Sequence, residues 1–134
     1  MRTPSQTVGP YFAIGLSRRP QNELPGGSVR LRGRVLDGGD RPVDDAVVEL
    51  WSPAFGFARC GTDADGEFTF LLPPRARRFE VTVFARGLLK PVLTRLYVPG
   101  EAAEDPTMVA REEGDGLRFD VHLQGERETA FFEL

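Results

Sequence analysis

Val29-Arg30-Leu31-Arg32-Gly33-Arg34-Val35 sets small or apolar residues against three arginines in strict alternation. Side chains of a strand point to opposite faces with a period of two, so this stretch reads as a β-strand with one buried and one wet face. Asp37-Gly38-Gly39-Asp40-Arg41-Pro42 follows with turn chemistry, and Ala46 to Trp51 is a valine-rich run suited to burial on both faces. A second turn, Thr62-Asp63-Ala64-Asp65-Gly66, leads into Glu67-Phe68-Thr69-Phe70-Leu71, whose two phenylalanines point the same way.

Further on, Phe79, Val81 and Val83 alternate with Glu80 and Thr82. Leu93 to Val98 and Leu117 to Leu123 add two more runs, and Ala130 to Leu134 supplies an edge. The best helical stretch is Glu101 to Glu113, where alanines and acidic residues precede a Gly-Asp-Gly stop. The expected fold is all-β: an antiparallel β-sandwich of about six to eight short strands with at most one short helix. Residues 1–27 form an extended N-terminal arm and loop, with Arg19 to Gly27 joining the arm to the first strand.

A chain of 134 residues, 40% hydrophobic, is enough for one compact domain and too short for two ordinary ones, so residues 1–134 are read as a single domain. The net charge is −3 with both signs interspersed, which offers no basic stripe for a phosphate backbone. No apolar run approaches the length of a membrane span. Nucleic acid and membrane are therefore not expected partners. The N-terminus lacks a charged region followed by an apolar stretch and a cleavage site, and the lone Cys60 has no second cysteine to pair with. A cytoplasmic setting is expected, with Cys60 a structural residue of a strand beside Arg59.

Metal chemistry finds little footing in the residues themselves. The chain has one histidine, His122, which alternates with Phe119, Val121 and Leu123 on the expected wet face, and two tyrosines, Tyr11 and Tyr97. Asp63-Ala64-Asp65-Gly66 starts like a calcium loop but lacks the glutamate required at the twelfth position, and is read as a turn. No nucleophile and base are framed together by a motif. Phe131 and Phe132 suit either sandwich core or a subunit contact.

One segment stands apart from the strand pattern. Thr3-Pro4-Ser5-Gln6-Thr7-Val8-Gly9-Pro10-Tyr11 is almost uncharged; its prolines fix φ and remove donors, while Gly9 lets another group approach the main chain. It resembles the N-terminal signature of the α subunits of protocatechuate 3,4-dioxygenases, which are intradiol ring-cleavage enzymes. Val83-Phe84-Ala85-Arg86-Gly87, Thr94-Arg95-Leu96-Tyr97, and the terminal stretch Leu117-Arg118-Phe119-Asp120-Val121-His122-Leu123-Gln124-Gly125-Glu126 with Glu128-Thr129-Ala130-Phe131-Phe132 are similar to that family as well. The resemblance runs from end to end with gaps, and it too implies a β-sandwich core.

What it implies about function starts from ligands. Intradiol dioxygenases hold Fe(III) with two tyrosinates and two histidines, hard oxygen and imidazole donors suited to the ferric state. The resemblance places Arg78 and Glu80 where the iron-bearing subunit has its His-x-His pair. It also shortens the loop of the first tyrosine ligand to Ser52-Pro53-Ala54, and offers no counterpart of the second tyrosine between Leu71 and Phe79. The chain is thus expected to bind no metal and to carry no catalytic residue alone, the Fe(III) belonging to an iron-bearing β subunit in a hetero-oligomer. The resemblance implies that Thr7, Gly9, Pro10, Tyr11 and Arg86 line the substrate cavity beside that iron. A flat aromatic acid such as 3,4-dihydroxybenzoate would meet the ring and hydroxyl of Tyr11, the backbone of Gly9, and the guanidinium of Arg86. The implied reaction is intradiol cleavage with O2 to 3-carboxy-cis,cis-muconate. The alternative is a stand-alone, non-catalytic binding or structural sandwich derived from the family. Loops missing after Leu16, after Trp51 and before Phe79 bear on assembly and on how open the pocket is.

Overall fold

The structure is a computed structural model that describes residues 21–125 and 127–133. Its strands, in chain order, are β1 (Val29–Leu36), β2 (Val47–Ser52), β3 (Gly56–Gly61), β4 (Glu67–Leu72), β5 (Arg78–Phe84), β6 (Val92–Tyr97), β7 (Arg111–Glu113), β8 (Gly116–Arg118) and β9 (Val121–His122). They form two sheets, one in the order β4-β1-β8-β7 with β9 also paired to β1, the other in the order β3-β2-β5-β6. The expected all-β sandwich is what the chain adopts. Thr7, Gly9, Pro10 and Tyr11 lie outside the described residues.

The alternation in β1 works as its sequence dictates. Leu31 and Val35 are fully buried, whereas Arg30 and Arg32 face water. On β4, Phe68 and Phe70 share the core face, their rings 5.9 Å apart and steeply inclined, an edge-to-face contact that aromatic quadrupoles favour. From the opposite sheet come Val48, Leu50, Phe79, Val81, Val83 and Leu96, all essentially without exposure. Burying side chains of this size contributes about 1.5–3 kcal/mol each and holds the two sheets face to face.

The valine-rich run Ala46 to Trp51 is buried on both faces through Leu50, but Trp51 is 48% exposed. Glu49 lies inside this run and tolerates burial because the Arg59 guanidinium donates to its Oε2 at 2.9 Å from the neighbouring strand. Cys60 packs against the core, and its thiol is pushed up by burial.

Three expectations of the fold need correction. Glu101 to Glu113 is not a helix: it holds a single 3-10 turn, Pro106–Met108, and ends in β7. Pro106 biases its predecessor away from helical angles, and Asp105 caps the turn by accepting from the Thr107 amide at 2.9 Å. Ala110 then donates to the Tyr97 carbonyl at 2.8 Å, drawing the segment alongside β6. Leu117 to Leu123 is not one strand either. β8 and β9 both run parallel to β1, so the sheet is not wholly antiparallel, and the break falls at Phe119 and Asp120.

The reason for the break is Gly33. A Cβ there would sit 1.8 Å from the Phe119 carbonyl oxygen and 2.7 Å from the Phe68 ring. The crossing backbone fits only against a glycine, and Asp120 replaces a ladder partner by accepting from the Arg34 amide at 2.9 Å. Beyond β9, Ala130 to Leu134 adds no strand among the described residues; Phe132 makes one bridge to Leu93. Phe131 packs against the core, which leaves Phe132 on the outer side.

Candidate functional site

Arg86 follows directly on β5, in a turn closed by the Leu88 amide donating to the Ala85 carbonyl at 3.1 Å. Its side chain is 87% exposed, and its Nε stands 3.2 Å from Asp45 Oδ2 in the turn before β2. Arg86 therefore leans on one carboxylate while its other donors face solvent. An exposed pair of this kind contributes only about 0–1 kcal/mol, so the guanidinium is free to turn toward another anion.

Beside it opens a cavity of about 680 Å³ between the β1–β2 turn, the segment after β5 and the loop after β9. Its walls include Gly38, Val43, Ala85, Leu88, Leu123 and Gly125. The turn is held by Asp37, which accepts from the amides of Gly39 and Arg41 at 2.9 and 3.0 Å. Those two amides, Arg41 first, hold its carboxyl below the usual aspartate range. Arg86 itself is not part of the cavity wall; its neighbours Ala85 and Gly87 are.

His122 is not on a wet face. Its side chain is only 15% exposed, because residues 127–130 fold back over β9: the Thr129 amide donates to the His122 carbonyl at 2.9 Å, and the His122 amide donates to Thr129 Oγ1 at 2.8 Å. Its Nδ1 lies 3.7 Å from Asp40 Oδ1, too far for a hydrogen bond. His122 belongs to the sheet of β1 and Tyr97 to that of β6.

The positions that the resemblance matched to a His-x-His pair are occupied by a charge network. Glu80 faces outward from β5 opposite Arg95 of β6, and Arg95 Nε donates to Glu80 Oε2 at 2.9 Å. A second nitrogen of Arg95 donates to Glu104, which also accepts from the Tyr97 hydroxyl at 2.7 Å. The guanidinium lies over the Phe132 ring, 4.7 Å from its centroid. Tyr97 is the first cause holding the Glu104 carboxyl below the usual range, with Arg95 adding to it. Ferric iron does not fit this donor set: Glu80 already holds a cation, Arg78 offers no lone pair, and no metal-binding group of three His, Cys, Asp or Glu side chains occurs among the described residues. The short turn after Trp51 is equally committed, Ser52 Oγ accepting from the amides of Ala54 and Phe55 at 3.2 and 3.3 Å.

Sequence reasoning missed Asp45 as the partner of Arg86, and missed Glu104 altogether. Only the β5–β6 register, which puts Glu80 opposite Arg95, carried a signal that alternation alone could have revealed.

The chain is 34% identical, over 192 aligned positions, to the protocatechuate 3,4-dioxygenase alpha chain of Burkholderia cepacia, covering 99% of this chain and 98% of that one. It is 32% identical over 193 positions to the alpha chain of the same enzyme from Pseudomonas putida, covering 98% and 96%. Both alignments are longer than the 134 residues present here, so these relatives carry additional residues opposite gaps in this chain. Among solved structures, the dioxygenase domain of a dioxygenase carbohydrate-binding protein fusion from Streptomyces sp. SirexAA-E superposes with a TM-score of 0.58 at 25% identity, covering 80% of this chain and 92% of that one. Catechol 1,2-dioxygenase from Pseudomonas arvilla C-1 shares the fold, with a TM-score of 0.57 at 20% identity over 82% of this chain and 59% of that one. No protein-family model matches the chain.

Proposed function

Because the chain belongs to the family of protocatechuate 3,4-dioxygenase alpha chains, we propose that it is a non-iron-binding subunit that completes the substrate pocket of a partner β subunit carrying Fe(III). The reaction so served is intradiol cleavage of 3,4-dihydroxybenzoate with O2 to 3-carboxy-cis,cis-muconate, in the cytoplasm. The observation that carries this reading is the identity to two alpha chains across nearly the full length of both partners in each alignment. The committed Glu80–Arg95–Glu104 network supports a chain that lends pocket wall rather than metal ligands.

In this reading the single domain contributes two elements. Arg86, held loosely by Asp45, swings its guanidinium toward the carboxylate of the aromatic acid or orders the loops around it. Thr7, Gly9, Pro10 and Tyr11 line the substrate cavity beside the partner's iron, Gly9 admitting the ligand to its backbone and Tyr11 presenting ring and hydroxyl.

The test is oxygen uptake on protocatechuate by the complex reconstituted from this chain and its β partner. Arg86→Ala and Tyr11→Phe are each expected to lower turnover about tenfold or more while iron content stays at the wild-type level. Undiminished turnover in both variants would remove the pocket role. A chain that purifies alone and leaves the β partner's activity unchanged would point instead to a stand-alone sandwich.

A further inference from the structure

The outer face of the β1 sheet carries five arginines, Arg30, Arg32, Arg34, Arg111 and Arg118, against three carboxylates within 4 Å of them among the described residues, those of Glu67, Glu113 and Asp120. Arg32 on β1 is the register partner of Arg118 on β8, which is in turn the register partner of Arg111 on β7. Register partners share a face, so three guanidinium-bearing residues stand abreast on adjacent strands about 4.8 Å apart. Like charges placed directly opposite one another are destabilising, and a sheet does not assemble such a row for its own stability.

The compensation within the chain is shared thinly. Glu67 lies 4.0 Å from Arg32 and 3.8 Å from Arg34. Asp120 serves Arg118 at 3.0 Å and Arg111 at 3.7 Å while also accepting from the Arg34 amide. Glu113 reaches Arg118 only at 3.9 Å. Arg34 Nε is buried without an acceptor, and among the described residues no carboxylate lies within 4 Å of Arg30. All the acids of this face sit in the rows before and after the row of three.

We infer that the row Arg32–Arg118–Arg111, flanked by Arg30, is a docking face for an acidic protein surface. Arg32 and Arg111 keep 47% and 66% of their side chains exposed and can each offer a fork to a carboxylate, while Arg118 between them is only 15% exposed and holds Asp120. A nucleic acid backbone fits less well, because Glu67, Asp120 and Glu113 interrupt the positive surface on both sides and the chain as a whole is acidic at −3. Resting on the subunit reading above, the occupant is an acidic patch of the β subunit.

The experiment compares the full-length wild-type chain with Arg32→Glu/Arg111→Glu and with a charge-matched control, Arg75→Glu/Arg77→Glu, all verified as folded by circular dichroism. Each is co-purified with the β subunit at low and high salt, and each is titrated with fluorescent poly-glutamate and with duplex DNA. The proposal expects the control to bind β like the wild type, and the first variant to bind it about tenfold or more weakly, with the wild-type interaction itself weakened by salt. Equal recovery of β by both variants would keep the subunit reading and overturn this docking face. If β is recovered by none of the chains, the subunit reading fails by itself. Poly-glutamate binding lost only in Arg32→Glu/Arg111→Glu would then sustain the acidic docking face, and its absence in the wild type would overturn it. Binding of duplex DNA as tight as that of poly-glutamate would also overturn it, in favour of a general polyanion surface.

Discussion

Glu80 and Arg95 face each other across β5 and β6, and the Arg95 Nε donates to the Glu80 carboxylate at 2.9 Å. Through its remaining contacts with Glu104 and the Phe132 ring, this one guanidinium ties β5, β6, the segment before the 3-10 turn and the C-terminal stretch together.

Arg95→Met is expected to destabilise the fold by about 1–2 kcal/mol, since it removes a networked ion pair and a cation–π contact at once. Urea unfolding followed by fluorescence measures it. Glu80→Gln removes one partner only and is expected to cost less than half as much.

The acid limb of the stability profile follows from Glu104. Its folded carboxyl is held below the unfolded value by the Tyr97 hydroxyl and by Arg95. Its stabilisation is therefore fully present above about pH 4.3 and is lost as pH falls through the lower folded value. Glu104→Gln is expected to flatten the change in melting temperature below that pH and to leave the neutral-pH profile the same shape. A melting series from pH 3 to pH 7 reads the difference.

Gly33→Ala is expected to destabilise by about 3 kcal/mol or more, because the new methyl lands on the Phe119 backbone rather than on a yielding side chain. Gly87→Ala, where nothing lies within 4 Å, serves as the mild comparison. Equal melting temperatures for the two variants would show that the crossing chain moves aside.

Removing one member of the buried Glu49–Arg59 pair leaves a charge inside the sheet face. Arg59→Met is expected to cost about 3–5 kcal/mol, and Glu49→Leu/Arg59→Met about half as much or less. A double-mutant cycle by chemical denaturation checks the sign of the coupling.

The strands were legible wherever one face is buried, since a period of two is imposed by the pleat; Val29 to Val35 and Phe79 to Val83 needed no further information. Glu101 to Glu113 misled because alanine and acidic residues favour a helix locally, while Asp105, Pro106 and the Tyr97 carbonyl decided otherwise. The split between β8 and β9 was hidden because its cause, the fit of Phe119 over Gly33, joins residues far apart in sequence. At the candidate site Arg86 was singled out through the motif around it, and its role there is part of the proposal. Asp45 was not, because an ion pair between two turns leaves no periodic trace.

The crossing at Gly33 also fixes the order in which the newborn chain can finish. β2, β3, β5 and β6 lie within residues 47–97, so their sheet can assemble as soon as that stretch leaves the ribosome. The far side of β1 must wait for Asp120, 86 residues after Arg34. A nascent chain halted before Gly116 therefore displays an unzipped strand edge with arginines beside it, and is the species most in need of a chaperone.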